Sequence, residues 1–255
     1  MMFTIEIFFR LIFLYSVLRI MTKESEKKKN KIYNMLIEHL FDEEKEHNLK
    51  SYKRASNANN LPYQTYERIN IKGLRWSVEK RINEYNLKPL FNKDSSVLDI
   101  GSNSGFIANE FALFCKIVHG IEPVEKLNEI ARLVSVRLGI NNTKFFTSKF
   151  EDFENEETYD VVLSFASFHT ADENQRTSAE YFFSKVSNHM KKNALFFYES
   201  VSYQKEEKEP DYPFYIAKKE AINVCREKFD ILSIKETKSG SENYRTLALM
   251  KKKLI

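Results

Sequence analysis

Cysteine is scarce in this 255-residue chain: Cys115 and Cys225 are the only two, with no CxxC spacing and no paired histidine. That argues against a disulfide framework or a thiolate metal site and leaves two buried thiols of a reducing compartment as the expectation. A large excess of either charge is missing too. Forty basic residues face 36 acidic ones for a net charge of +4, so composition alone does not mark a nucleic-acid binder. An uninterrupted apolar run is also lacking. The stretch "FTIEIFFRLIFLYSVLRIM", from Phe3 to Met21, is broken by Glu6, Arg10 and Arg19, and an arginine at mid-bilayer costs at least ~2.5 kcal/mol. No small-residue cleavage site follows it, which argues against a secretory signal. Three readings stay open for this segment: a helix lying on a membrane surface or partner, a helix folded against the main domain, or an extension upstream of a start at Met21.

What is present supports a core. Apolar residues make up 42% of the chain and aromatic ones 14%, enough for one substantial α/β domain with an appendage. The expected division is an apolar segment over 1–21, a helical extension over 22–94 and the main domain over 95–255. The charge run from Thr22 to Lys31 predicts a solvated linker or helix start. A short amphipathic helix is expected from Ile32 to Phe41, and another from Gly73 to Leu87, where Leu74, Val78, Ile82 and Tyr85 share a face. From Ser95 the pattern alternates. Strands are predicted at "SVLDI", "KIVHGIEP", "TKFFTSKF", "YDVVLSFASF" and "NALFFYES", with helical stretches between most of them. Such alternation gives parallel strands joined by right-handed crossovers. After the helix "AKKEAINVCREKF", the strands "DILSIKETK" and "NYRTLALMKKK" are joined only by "SGSE" and must pair antiparallel. The expected fold is therefore a Rossmann-like, doubly wound and mostly parallel sheet with a C-terminal antiparallel hairpin, preceded by a helical extension.

Ligands of such sheets lie beyond the carboxyl ends of the strands, where strand order reverses. The first strand of the domain ends in "DIGSNSGF". Gly101 lets the backbone turn, and Gly105 is read as letting the next helix approach a ligand. About 20 residues on, Glu122 stands at the tip of the second strand, suited to grip both hydroxyls of a ribose and ill suited to a 2′-phosphate. Asp99 bears on the choice of ligand. It would oppose a pyrophosphate by roughly 1 to 4 kcal/mol and favour a cation. S-adenosylmethionine offers a ribose, an α-ammonium and no phosphate. The spacing is Gly101-x-x-x-Gly105, with Asn103 where a dinucleotide loop would carry its middle glycine. A dinucleotide site, or a turn that holds no ligand, remain the alternatives.

The segments "VLDIGSNSGF", "HGIEP", "FFTSKFEDF" and "YDVVLSFASFHT", in this order and spacing, resemble the motif series of class I S-adenosylmethionine-dependent methyltransferases, over about Ser95 to Lys253. The resemblance implies that Asp99, Gly101, Asn103 and Gly105 line the methionine side of the cofactor and that Glu122, followed by Pro123, binds near the ribose. It implies that Asp152 lies by the adenine, with Phe150 or Phe153 packed on the ring. Asn103 departs from the commonest GxGxG form, but asparagine tolerates left-handed backbone better than most residues. The segment "LPYQTYERINIKGLRWSVEKRINEYNL" is similar to the lead-in of methyltransferases associated with cell-surface polysaccharide modification. That similarity implies that Tyr63, Gln64 and Arg81 approach the cofactor, and an arginine could clamp its carboxylate. The bland alternative makes Arg81 a surface residue of an amphipathic helix and Gln64 a loop residue.

Methyl transfer is an in-line displacement helped by alignment and desolvation, and a hydroxyl acceptor also needs a base. His169, in "SFASFHTADEN", has the chemistry for a general base, and a merely structural histidine is the alternative. Asp172 and Glu173 read as acids at a helix N-terminus, and Glu199 as a second polar group at the crevice. "SFASFH" has no proline, against an Asn/Asp-Pro-Pro-aromatic turn for amine methylation of nucleic acid. Neither cysteine stands where cytosine C5 chemistry would need one, no cysteine triad serves radical chemistry, and no metal site is expected. The reading is a cytoplasmic enzyme that O-methylates a small molecule or glycan, with a membrane-surface or partner contact through Phe3 to Met21 left open. Its rivals are an RNA methyltransferase using Thr22–Lys31 and the terminal "KKK" as phosphate contacts, and a silent scaffold that binds the cofactor without turnover.

Overall fold

A computed structural model describes residues 15–35, 38, 64–73, 75–168, 177–203, 223–238 and 243–253. Helix α1 covers residues 15–35. The lead-in contains β1 (Gln64–Thr65), β2 (Arg75–Ser77) and α2 (Val78–Glu84). The main sheet is built from β3 (Ser96–Ile100), β4 (Ile117–Glu122), β5 (Thr143–Thr147), β6 (Tyr159–Phe165), β7 (Met190–Tyr203), β8 (Phe229–Lys238) and β9 (Asn243–Lys252). Helices α3 (Phe106–Ala112), α4 (Glu125–Leu138) and α5 (Ala179–Asn188) lie between strands, and α6 covers 223–228.

The seven strands are ordered β5-β4-β3-β6-β7-β9-β8. β3 pairs parallel with both β4 and β6, so Val97 lies beside Val118 on one side and Val161 on the other. β9 runs antiparallel to both β7 and β8. The antiparallel end is the one expected from the short "SGSE" connection, and the last strand takes the inner place. Strands covered on both faces carry near-continuous apolar runs, and side chains alternate between the faces. Val97, Val118, Val161 and Phe197 enter one cluster with α3 and α4, whereas Leu98, Ile121, Val162 and Phe196 enter a second, phenylalanine-rich cluster with α5. In α4 the buried Leu127, Ile130, Ala131 and Val134 recur at helical spacing, and Gly139 caps its end as expected.

The N-terminal part departs from expectation in two ways. The charge run is neither a linker nor the lead into a separate helix: it forms the middle of α1, supported by the ion pairs Lys28–Glu24 at 3.1 Å and Lys29–Glu26 at 3.9 Å. Ile32, at 1% exposure, fixes the far end of α1 to the body. Second, the helix expected from Gly73 begins only at Val78, because Arg75–Ser77 instead pairs as a parallel strand with Gln64–Thr65. Ser77 then caps α2, its Oγ accepting from the Lys80 N–H at 3.2 Å. Ser77→Ala is expected to cost about 1 kcal/mol, read in a urea titration.

The lead-in shares its core with the domain that follows. Tyr66, Ile69, Ile71, Val78, Ile82 and Leu87 are buried in one cluster with Phe106 and Phe111 of α3. Glu110 of α3 is buried and accepts from Arg68 Nε and Nη2 at 2.6 and 2.7 Å and from the Tyr66 hydroxyl at 3.0 Å. Burial and the Glu110 carboxylate hold the Tyr66 phenol far above its ordinary pKa, so it stays a neutral donor.

Candidate functional site

Strand order reverses between β3, whose chain moves outward to β4 and β5, and β6, which returns to β3's other side. The loops after β3 and β6 meet there. A Cβ on Gly101 would lie 2.5 Å from the Ser167 Cβ, so only glycine lets the two loops touch. Three residues of "GSNSG" take left-handed backbone: Gly101 at φ 71°, Asn103 at φ 51° and Gly105 at φ 66°. The turn is held by Gly101 and Ser102 N–H groups donating to the Ile121 carbonyl, both at 2.9 Å. Asn103 adopts the conformation expected of it, its Oδ1 accepting from the Ser104 N–H at 2.8 Å. A Cβ on Gly105 would lie 2.4 Å from the Ala131 Cβ and 2.8 Å from the Phe145 ring, so glycine at this position also serves the packing of helix against strand.

Two carboxylates flank this loop. Glu122 is buried; its Oε2 accepts from the Asn103 N–H at 3.1 Å and its Oε1 from the Val124 N–H at 3.2 Å. It therefore fixes the turn that it adjoins, and each carboxylate oxygen can accept more than one bond. Asp99 lies beneath the loop at 2% exposure, and its Oδ2 has no hydrogen-bond partner. Burial pushes its pKa up to about 7; the Arg81 guanidinium opposes that rise and Glu122 adds to it. A buried acceptor atom without a donor is costly unless a ligand supplies one. The α-ammonium of S-adenosylmethionine is a donor of the required sign, and Glu122 is an acceptor of the kind its ribose needs, so the residues present fit that cofactor.

Arg81 is not a surface residue. It donates to Glu199 Oε2 from Nε at 3.1 Å and from Nη2 at 2.6 Å, and its guanidinium stacks over Phe165 at 4.9 Å. Tyr85, one turn on, donates to the same oxygen at 2.6 Å, and Arg245 of β9 donates to Oε1. Glu199, expected from the sequence as a polar group at the crevice, is instead fully buried under this cluster. Burial works against its ionisation, but Arg81 and then Arg245 hold its pKa down at about 2. Arg81 spends two donors on Glu199, which alters the expected clamp on a ligand carboxylate. It reaches the site through the field it exerts on Asp99. Tyr85, Arg245 and Ser167 were missed from the sequence. Glu199 lies 118 positions from Arg81 and 46 from Arg245, and no local pattern signals such pairing. Ser167 Oγ lies 2.6 Å from Ser164 Oγ at the turn where Ala166 takes φ 63°.

The other expected residues are spread unevenly. Pro123 is exposed beside Glu122, and Asp152 is exposed on a 3₁₀ turn over Phe150–Asp152. Phe150 and Phe153 are both buried in the second core cluster, with Phe150 against Phe182 at 5.3 Å and Phe153 against Phe146 at 5.2 Å. The hydrophobic neighbours of the 3₁₀ turn draw both rings inward. Gln64 is half-buried in β1, level with Arg75. Tyr63, His169, Asp172 and Glu173 lie outside the described residues. Among the described residues no cluster of metal-ligating side chains occurs. Cys115 and Cys225 are free and buried as expected, and burial pushes both thiols up to about 12.

A doubly wound sheet with an antiparallel end and two acids around a left-handed loop at its switch point defines a transferase that binds a nucleoside cofactor. The sequence matches the methyltransferase-domain family over residues 91–252. The chain belongs to that family and is an S-adenosylmethionine-dependent methyltransferase. Solved structures share the fold. The N-methyltransferase NodS from Bradyrhizobium japonicum WM9, in complex with S-adenosyl-L-homocysteine, is 13% identical with a TM-score of 0.57, covering 80% of this chain and 97% of its own. Coclaurine N-methyltransferase, bound to N-methylheliamine and S-adenosyl-L-homocysteine, is 14% identical with a TM-score of 0.56, covering 69% and 72%. An rRNA methylase from Streptococcus thermophilus is 13% identical with a TM-score of 0.52, covering 68% and 96%. No curated protein matches the chain.

Proposed function

We propose that the enzyme is cytoplasmic and O-methylates a hydroxyl of a sugar or other small molecule, the sugar belonging to a cell-surface polysaccharide. The observation that carries the donor site is the buried, unpartnered Asp99 Oδ2 at the switch point. Asp99 accepts from the donor's α-ammonium, and Glu122 accepts from both ribose hydroxyls while holding the loop. Gly101, Asn103 and Gly105 shape the methionine side, Pro123 lies against the ribose, and Asp152 accepts from the adenine amine. Tyr63 and Gln64 approach the donor, and Arg81 acts on Asp99 through its charge. The donor supplies an electrophilic methyl group on a sulfonium. The chain's own work is alignment, exclusion of water and removal of the acceptor proton, for which His169 is the base.

The acceptor reading draws on what the cations and thiols are doing. Lys252 Nζ donates to the Ser187 and Met190 carbonyls, and Lys253 Nζ to the Arg226 carbonyl, so two of the terminal lysines cap helix ends and do not stand ready for phosphates. Both thiols are buried and protonated, which disfavours a cysteine nucleophile. A second reading, transfer to an amine of a small molecule, draws on the two N-methyltransferases among the fold neighbours. Incubation of the protein with methyl-labelled donor and separated glycan, lipid, RNA and small-molecule pools tests both. Label on oxygen of a glycan or small molecule is expected; label on nitrogen selects the second reading, and label only in RNA overturns both. Glu122→Ala should weaken donor binding by about 1 to 3 kcal/mol, and calorimetry showing unaltered affinity would remove Glu122 from the site.

A further inference from the structure

The chain's charge is unevenly placed. Residues 15–31 hold six basic residues (Arg19, Lys23, Lys27, Lys28, Lys29, Lys31) and two acidic ones, Glu24 and Glu26. Residues 1–14 hold one of each, and residues 32–255 hold 33 of each, so the net +4 of the whole protein resides on α1. The same helix exposes large apolar side chains in its first two turns: Tyr15 at 67%, Leu18 at 54%, Ile20 at 64% and Met21 at 62%. Its far end is covered, through Ile32 and Met35. Lys23, Lys27 and Lys31 recur at i, i+4 and i+8 and line one side, roughly 140° around the helix from Ile32. The sequence leading into α1, Phe3 to Leu14, contributes nine more Phe, Ile or Leu residues before Tyr15.

We infer that α1 docks the enzyme onto an anionic lipid surface. Leu18 and Met21 lie within about 40° of Ile32 around the helix and the lysine stripe lies on the other side, so apolar and cationic faces are opposed, as in a helix that sinks one face into an acyl boundary beneath anionic headgroups. No helix among the described residues is long and apolar enough to cross a membrane, which fits lying on the surface. A second copy of the chain suits this face less well, since two such helices side by side would bring their net charges together.

The test is flotation of the full chain with vesicles of phosphatidylcholine, alone or mixed with phosphatidylglycerol. Binding at least tenfold stronger to the mixed vesicles is expected, weakening as salt is raised. The triple change Lys23→Glu, Lys27→Glu, Lys31→Glu should abolish that preference, and Leu18→Glu with Met21→Glu should lose binding at every salt concentration. All five residues are exposed, so donor affinity and thermal midpoint should stay at wild-type values. Equal binding to both vesicle types, or no binding to either, overturns the inference. So does a concentration-dependent dimer that the leucine and methionine changes dissolve while vesicles leave it intact.

Discussion

Glu199→Gln is expected to remove about 3 to 5 kcal/mol of folding stability, because it takes the anion out of a buried cluster and leaves two guanidiniums facing each other. Glu199 is wholly buried and accepts from Arg81, Tyr85 and Arg245. An amide would keep the shape and accept one bond, but it cannot offset two cations in a half-buried setting. A loss of that size is a large fraction of the ~5 to 15 kcal/mol that holds a typical domain together. Tyr85→Phe removes one charge-assisted bond and leaves the ion pairs, so about 1.5 to 3 kcal/mol is expected there. The pH dependence has a definite sign. The folded pKa of Glu199, about 2, lies below the ordinary carboxylate value of about 4.3. Its contribution is therefore complete above that ordinary value and is lost as pH falls through the folded one. Urea midpoints of wild type and variant should converge only in strong acid. Equal stability of the two at neutral pH would mean that the cluster is a surface network of little energetic weight.

The parts of this site that were legible in the sequence are the local ones. A run of apolar residues ending in Asp99 and Gly101, followed by Asn103 and Gly105, fixes a left-handed turn by backbone sterics alone. Glu122 was readable because a strand tip lies a set distance along the chain from that turn. The antiparallel end followed from the length of a connection. What escaped was decided by partners far away in sequence. Arg75–Ser77 has the composition of a helix start, yet it is a strand because Gln64–Thr65 lies beside it. Gly105 and Gly101 look alike in the motif, but one is required by Ala131 and the other by Ser167. Phe150 and Phe153 flank an exposed Asp152, and a sequence shows neither which way two such rings turn nor that Phe182, Phe146 and His189 wait behind them. Arg81 was singled out by resemblance; its commitment to Glu199 depends on α2 lying against β7, with β9 beside it, which only the folded chain supplies.

Affinity for S-adenosylmethionine is expected to fall about tenfold for each pH unit below 7 and to level off above it. Asp99 Oδ2 lacks a partner, and burial pushes the pKa of this carboxyl up to about 7. Relative to an unfolded carboxylate at about 3.9, that pKa is raised, so this group's contribution to stability is present at low pH and is lost as pH rises through 7. The donor-free enzyme should therefore become less stable from pH 5 to 8, and Asp99→Asn should flatten that slope. An ammonium arriving beside Asp99 restores the missing partner, favours the charged form and expels a proton. Calorimetry in buffers of different ionisation heat should detect a proton released on binding at pH 6 and almost none at pH 8. Asp99→Asn should cost about 1 to 3 kcal/mol of affinity at pH 8, with the difference from wild type shrinking toward pH 5, where wild-type Asp99 is already neutral. The sign also discriminates between ligands. A pyrophosphate in this cleft would bind better as Asp99 loses its charge, so a dinucleotide would gain affinity toward acid where the sulfonium donor loses it. Affinity that rises as pH falls would place the wrong cofactor in the cleft, and affinity indifferent to pH would place Asp99 outside it.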